Sequence, residues 1–249
     1  MRVRVMSDLH LEFGMMDPGE GDILVLAGDI CVASDYEKFH EFFVKCVKNY
    51  NRVFYVMGNH EHYHGDFTQT ESILRNKLPL GVTLLNNSSH CVDGVHFVGA
   101  TLWTNMNNLN VDTMEEARSY MNDYHLVENF TPEQSVDEHL QTREWFERCL
   151  PMLRGPVFMI THHAPSPQSI HGRYLESTPM YSSEMESFIK KYPHIKYWAH
   201  GHCHHTNDYM IGECNVIANP RGYATVEENK KFNPEFEIEL TTPSKPVIV

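Results

Sequence analysis

The fold is indicated first by the stretch Val3-Arg4-Val5-Met6-Ser7-Asp8-Leu9-His10, in which an apolar strand pattern runs directly into an aspartate and a histidine. Four further runs of strand length along the chain are also followed at once by side chains that can bind a metal ion. The runs and their endings are 23–27 before Gly28-Asp29, 53–57 before Gly58-Asn59-His60-Glu61, 157–160 before Thr161-His162-His163, and 195–199 before His200-Gly201-His202.

This repetition predicts a common site, because ligands of open α/β sheets bind beyond the carboxyl ends of the strands. Residues i and i+2 of an extended segment lie on the same side, so the spacing allows Asp8 with His10, and His200 with His202, to face one ion. Oxygen and imidazole ligands without thiolate suit Mn, Fe, Zn, Co or Ni. There are more candidate ligands than one four-coordinate ion needs, which favours two ions that share a carboxylate.

The apolar pattern predicts an α/β chain in which strands and helices alternate and further strands follow. Predicted strands are 2–6, 22–27, 52–57, 82–85, 95–102, 156–161 and 195–199, with hairpin strands at 208–218 and 235–240. Predicted helices are 36–50, 67–78, 113–121, 132–150 and 182–192. We expect one domain over residues 1–249, with a helical insertion at about 105–150 packed beside the core.

Composition excludes several functional classes. The 249 residues include 20 Lys+Arg and 33 Asp+Glu, a net charge of −13, so a broad basic face for duplex nucleic acid is not expected. The six cysteines are scattered without a CxxC pair, which argues against a disulfide scaffold or a thiolate zinc site. The sequence contains neither a membrane-spanning apolar run nor a signal-peptide core, so we expect a cytoplasmic protein without a membrane partner.

The motifs resemble those of the calcineurin-like, binuclear metallophosphoesterases, whose signature is DxH, GD, GNH[DE], a later His and GHxH. Here they stand in the same order, as Asp8-Leu9-His10, Gly28-Asp29, Gly58-Asn59-His60-Glu61, Thr161-His162-His163-Ala164-Pro165 and Gly201-His202-Cys203-His204. The stretches Met121-Asn122-Asp123-Tyr124 and Asn219-Pro220-Arg221-Gly222-Tyr223 resemble a bacterial and phage subgroup of small phosphoesterases. The resemblance implies a four-layer αββα sandwich of two mixed sheets flanked by helices.

The resemblance also implies two ligand sets that share the carboxylate of Asp29. The implied ligands are Asp8, His10, Asp29 and His204 for the first ion, and Asp29, Asn59, His162 and His202 for the second. The family motif favours His202 with His204 over the pair that spacing suggests, so His200 and His205 become structural candidates. The choice between His162 and His163 stays open, because Ala164 stands where the family has a proline.

The implied function is a metal-dependent phosphoesterase that hydrolyses a phosphodiester or phosphomonoester, a small phosphorylated molecule or a nucleotide. Two divalent ions, with Mn expected and Fe, Zn, Co or Ni as alternatives, would activate a bridging hydroxide that attacks phosphorus. Asp29 and His60 are the predicted catalytic residues, with His60 near the leaving group, and Arg221 and His163 are candidate substrate contacts. The alternative is a non-catalytic metal-binding scaffold on the same fold, while the HxHxDH pattern of a metallo-β-lactamase lacks its aspartate here.

Several neighbouring residues have ordinary structural interpretations. We interpret Glu61, His62 and His64 as an exposed loop rim. For Asn122 and Asp123 there are two interpretations, capping a helix of the insertion or reaching the site, and we favour capping. Tyr120 is assigned to the core by its helical position, and Cys203 is expected to be inert.

Overall fold

The computed structural model describes residues 1–172 and 175–240 and has short strands and helices in alternation along much of the chain. The strands are β1 (Arg2–Met6), β2 (Gly21–Ala27), β3 (Tyr50–Val56), β4 (Gly65–Asp66), β5 (Val82–Leu84), β6 (Ser88–Val92), β7 (Val95–Gly99), β8 (Val127–Glu128), β9 (Val157–Ile160), β10 (Ile195–His200), β11 (Asn207–Ile211), β12 (Cys214–Ala218), β13 (Gly222–Tyr223), β14 (Glu227–Glu228) and β15 (Glu237–Glu239). The helices are α1 (His40–Asn49), α2 (Phe67–Lys77), α3 (Met106–Leu109), α4 (Val111–Tyr120), α5 (Asp123–Leu126), α6 (Pro132–Cys149), α7 (Thr178–Tyr181) and α8 (Glu186–Lys191).

Two mixed sheets form the centre of the structure. The first has the order β15-β1-β2-β3-β5, with the last four strands mutually parallel and β15 antiparallel at its edge. The second has the order β11-β12-β10-β9-β7-β6, with four parallel strands between two antiparallel edge strands. The expectation of two mixed sheets is therefore confirmed.

Alternation along the strands gives each sheet two apolar faces. In β2, Val25 points between the sheets and packs in one cluster with Phe97 and Phe158 of the second sheet. Its neighbour Leu24 points outward into a cluster with Phe43 of α1. The outer face of the second sheet packs in the same way against the flanking helices α6 and α8. These contacts give the order helix, sheet, sheet, helix, which confirms the four-layer sandwich.

The chain end departs from the sequence-based prediction. Strands β11 and β12 form the expected hairpin, but β15 lies in the other sheet, antiparallel to β1 with Arg2 opposite Glu239. The side chain of Ile238 packs against the cluster between the two sheets, and this apolar contact places the strand there. The predicted helix 36–50 is also divided, because residues 33–38 form a 3₁₀ turn before α1 begins.

The segment 105–150 contains α3 to α6. Its longest helix, α6, places Phe146 against the second sheet, whereas Val136 nearer its start packs with Met106 and Met114. The segment therefore packs along the sandwich and carries most of a small apolar cluster, which Met180 of α7 completes. None of the helices in residues 1–172 and 175–240 has the length and hydropathy that a membrane crossing requires.

The layer contacts predict that a leucine-to-alanine substitution affects stability differently at two positions. Leu24 is completely buried and Leu80 is completely exposed. We expect Leu24→Ala to lower the free energy of unfolding by about 2–5 kcal/mol, because it leaves a cavity between sheet and helix. Leu80→Ala should change it by less than about 0.5 kcal/mol. Urea titrations followed by circular dichroism measure both, and equal effects would contradict the layer assignment.

Candidate metal centre

The first group of ligand atoms comes from opposite ends of the chain. Asp8, His10 and His204 offer atoms that all lie within 4.8 Å of one another. The Nε2 atoms of His10 and His204 are 3.0 Å apart, and Nε2 of His204 is 3.6 Å from Oδ1 of Asp8. Two imidazole nitrogens and a carboxylate that face one point are a donor set typical of transition metals.

The second group adjoins the first through Asp29. Its ligand atoms, from Asp29, His162 and His202, also lie within 4.8 Å of one another. Nε2 of His162 is 3.3 Å from Oδ1 of Asp29 and 3.0 Å from Oδ1 of Asn59. The other oxygen of Asp29, Oδ2, is 3.7 Å from Nε2 of His10. The structure thus brings together the seven side chains predicted as ligands, with the Asp29 carboxylate between the two groups.

The backbone turns sharply at these residues. Asp8, His10, Asp29, His202 and His204 have φ angles of 50°, 42°, 55°, 70° and 49°. Left-handed backbone is uncommon outside glycine, although Asp and His are among the residues that tolerate it best, and its concentration at one place suggests function. Here the turns direct the side chains back toward the edge at which the strands end.

Two motif glycines are required because the carboxylates of Asp8 and Asp29 pass close to their backbone. A β-carbon on Gly201 would lie 2.5 Å from Oδ2 of Asp8, and one on Gly58 would lie 2.2 Å from Oδ1 of Asp29. Real β-carbons do not approach so closely, so any side chain at these positions would displace a carboxylate. The glycines explain why the ligand loops can pack around buried acids.

The buried polar atoms of the site fit a cation. Oδ2 of Asp8 and Nε2 of His202 are buried and have no hydrogen-bond partner among the described residues. Burial lowers the pKa of His202 well below its usual value and that of His204 to about 4, so both rings are neutral at pH 7. Neutral imidazole is the form that binds a metal.

Asp29 and His162 form a buried charged pair. Burial alone would raise the pKa of Asp29, but the positive charges of His162 and His60 bring it well below its usual range. Burial would also lower the pKa of His162, yet the Asp29 charge raises it to about 10. A charge that holds a proton on His162 so firmly can equally hold a cation, which would take the place of that proton.

Hydrogen bonds decide which histidines face the centre. Nδ1 of His162 lies 3.0 Å from the carbonyl oxygen of Ala27, a contact that points Nε2 at the ligands. His200 uses both ring nitrogens elsewhere, with Nε2 2.8 Å from the hydroxyl of Ser169 and Nδ1 3.0 Å from the carbonyl of Gly201. His200 therefore lies outside both groups. The family motif predicted this, whereas the spacing alone suggested that His200 would face an ion together with His202.

The two predicted substrate contacts lie outside the pocket lining. The ring of His163 is buried and packs against those of Trp103 and His202, with centroids 5.0 and 4.1 Å away. Arg221 donates to the carbonyl oxygens of Gly14 at 2.6 Å and Leu9 at 3.4 Å. In this structure Arg221 braces the loop that follows His10 instead of offering its guanidinium to a phosphate.

Glu12 is a site residue that the motif analysis missed. Its Oε1 lies 3.3 Å from Nδ1 of His10 and 3.3 Å from Nδ1 of His60. Burial would raise its pKa, but hydrogen bonds to the two histidines lower it to about 2. The sequence held one signal, that Glu12 follows His10 by two residues. The 3₁₀ turn at Leu11–Phe13 brings its carboxylate into contact with the rings of His10 and His60.

Glu61 was expected on an exposed rim, and that prediction is wrong. It is 1% exposed and accepts backbone N–H bonds from Asp29, Ile30 and Gly58 at 3.0, 2.7 and 2.6 Å. It therefore ties together the loops that follow β2 and β3, because unpaired backbone amides drew the carboxylate inward. His62 is buried as well, while His64 is exposed as expected.

Asp123 was expected to cap a helix, and its side chain does something else. Its Oδ1 accepts from Nδ2 of Asn59 at 2.8 Å and from the hydroxyl of Tyr63 at 2.7 Å. These bonds turn the Asn59 amide so that its oxygen faces His162. Tyr120, expected in the core, is 81% exposed, because its position on α4 faces open space.

A pocket of about 590 Å³ opens over the two ligand groups. Its floor contains ligand candidates and His60, and its walls come largely from the segment 116–123 and from residues near 176–181. The lining residues are Asp29, Asn59, His60, Tyr63, Glu116, Tyr120, Met121, Asn122, Asp123, Glu176, Ser177, Tyr181, His202, His204 and Tyr223.

Comparison with known proteins gives consistent results. Residues 1–206 match the model of the calcineurin-like phosphoesterase family. Uncharacterized protein L509 of Acanthamoeba polyphaga mimivirus is 29% identical over 284 residues, covering 96% of this chain and 97% of that protein. The structure of phosphopantetheinyl hydrolase from Mycobacterium tuberculosis superposes with a TM-score of 0.67 at 16% identity, over 89% of each chain. At that identity the likeness shows a shared fold.

The close approach at Gly201 predicts a loss of metal binding. We expect Gly201→Ala to weaken Mn²⁺ binding at least ten-fold, because the new methyl group must displace the Asp8 carboxylate. Gly65→Ala is the matched control, since a β-carbon there meets an atom 3.6 Å away in ordinary contact. Calorimetric titration of metal-stripped protein with Mn²⁺ measures both. Unchanged binding in Gly201→Ala would remove Asp8 from the ligand set.

Proposed function

Because the chain belongs to the calcineurin-like phosphoesterase family, we propose that it hydrolyses a phosphoester with two divalent cations as cofactors. One observation carries this proposal. The carboxylate of Asp29 places one oxygen 3.3 Å from Nε2 of His162 and the other 3.7 Å from Nε2 of His10, so it serves both ligand groups. A carboxylate that lies between two ligand groups can be shared by two neighbouring cations, and its negative charge would reduce their repulsion.

The proposed ligands divide as the two groups do. Asp8, His10, Asp29 and His204 would hold one cation, and Asp29, Asn59, His162 and His202 the other. Mn is the expected metal, and Fe, Zn, Co or Ni suit the same donors. Such a pair supplies positive charge that binds phosphoryl oxygens and lowers the pKa of an attacking water.

His60 is proposed to protonate the leaving group. Burial would lower its pKa, but the charges of Asp29 and Glu12 raise it above its usual value, which favours the protonated ring. Its Nε2 lies 3.2 Å from the hydroxyl of Tyr223, and both residues line the pocket. A positioned imidazolium can donate its proton as the phosphorus–oxygen bond breaks.

Glu12 is proposed to position His60. The backbone N–H of His60 donates to Oδ1 of Asp29 at 2.8 Å, which fixes the main chain, while Glu12 faces Nδ1 of the ring. With Nδ1 engaged, Nε2 is directed toward the pocket. Because Glu12 also faces His10, one carboxylate sets the orientation of a proposed ligand and of the proposed acid.

The pocket suits a small phosphorylated molecule or a nucleotide. Its volume of about 590 Å³ lies within the range of small-molecule sites. The net charge of −13 disfavours extended duplex nucleic acid as a partner. The cations would attract the phosphoryl group locally despite that overall charge.

The proposal is tested by metal-dependent hydrolysis. We expect metal-stripped protein to be inactive and protein reloaded with Mn²⁺ to hydrolyse p-nitrophenyl phosphate or its bis-ester. Asp29→Ala should lose at least 100-fold in kcat/KM, because it removes the oxygens that would serve both cations. Asp137→Ala, an exposed aspartate on α6, is the control. If metal binds and no ester is hydrolysed, the catalytic proposal fails and the scaffold alternative replaces it.

The roles of His60 and Glu12 are tested by varying the leaving group. His60→Ala should lower kcat for phenyl phosphate by about 10²- to 10⁴-fold, and that for 2,4-dinitrophenyl phosphate much less, because the better leaving group needs no proton. Glu12→Gln should show the same selectivity with a loss of about 10- to 100-fold. Glu20→Gln, at an exposed site, is the control. Equal losses with both esters would assign Glu12 a purely structural role.

A further inference from the structure

The wall of the pocket carries negative charge. Beyond the ligand groups, the lining includes the carboxylates of Glu116, Asp123 and Glu176, and none of the described lining residues is a lysine or an arginine. Arg118, on the same helix as Glu116, is bound to Glu133 at 2.6 Å. A second phosphate or carboxylate on a substrate would therefore meet negative charge without a matching cation in the described wall.

Asp123 provides an independent sign of a ligand. It is 2% exposed and lines the pocket, and its Oδ1 takes both hydrogen bonds described above. Its Oδ2 is buried without a partner among the described residues. A buried acceptor without a donor is costly, so a donor from a bound molecule would be favoured here.

The remaining wall suits a positively charged group. The carboxylates of Glu116 and Glu176 are exposed and make no hydrogen bond or ion pair within residues 1–172 and 175–240. Tyr120, one turn after Glu116 on α4, lines the same pocket with 81% of its surface exposed. Exposed carboxylates and a phenol ring in the lining of one pocket favour an ammonium, which can gain both ion pairing and contact with a ring face.

We propose that the substrate is a phosphoester whose organic group carries an amine cation, bound with the phosphoryl group at the metal centre and the ammonium against Glu116, Asp123 and Glu176. This inference rests on the proposed function, because the metal centre must take the phosphoryl end. It adds to that function that the organic group of the substrate is positively charged. Substrates with several phosphates are disfavoured by the same wall.

The test measures binding rather than turnover. Two phosphonates of similar length resist hydrolysis and carry opposite charge at the far end: 3-aminopropylphosphonate ends in an ammonium and 3-phosphonopropionate in a carboxylate. We expect Mn²⁺-loaded protein to bind the amine at least ten-fold more tightly in calorimetric titrations. The double variant Glu116→Gln/Glu176→Gln should reduce this ratio at least five-fold, since each carboxylate contributes electrostatic attraction.

The control is Glu115→Gln, which removes the same charge from the neighbouring exposed position of α4 outside the pocket lining and should leave the ratio unchanged. Equal binding of the two phosphonates, or a ratio that the double variant does not alter, would overturn the inference. Failure of the proposed function gives a different result, because the protein would then bind Mn²⁺ and the amine without hydrolysing any nitrophenyl ester.

Discussion

Two buried carboxylates, Asp8 and Asp29, impose the constraint on which the site depends. Both are at most 2% exposed, and an ionised carboxylate away from water is unstable unless donors or cations surround it. Asp29 receives the backbone N–H of His60, and Asp8 receives that of His202. One oxygen of Asp8 still has no partner among the described residues. A divalent cation at the proposed metal centre would supply the positive charge that the backbone donors leave missing. The proposed metal centre would therefore offset the cost of burying the two ionised acids.

Meeting that constraint strains the backbone. Five of the proposed ligands have left-handed φ angles, each of which costs on the order of 1 kcal/mol. The apolar contacts between the sheets and under the flanking helices offset this cost, and Glu61 fastens the loops after β2 and β3 by accepting their amides. The glycines at positions 58 and 201 leave room for the carboxylates. The free energy gained by packing the sheets and helices thus maintains the left-handed backbone of the proposed ligands at the edge where the strands end.

The cluster of candidate ligands could be predicted from the sequence, because its residues directly follow the ends of strands. Because parallel strands end at one edge, a ligand after each strand predicts a cluster, and the structure has it. Glu12 and Asp123 escaped prediction because their contacts depend on a 3₁₀ turn and on helix packing, neither of which has a distinct spacing signal. Glu61 was misassigned because a charged residue in a loop is usually solvated, and here four backbone amides and the hydroxyl of Tyr55 outweighed hydration.

The site draws its two halves from different parts of the fold. The ligands come from the strand endings, whereas much of the pocket wall comes from helices of the segment 105–150. Asp123 joins the halves, because one of its oxygens orients Asn59 while the residue itself lines the pocket. A change at Asp123 must therefore disturb a proposed ligand and the wall together. Glu116 and Glu176 have no such link, so the charge of the wall can vary there while the metal centre keeps its geometry.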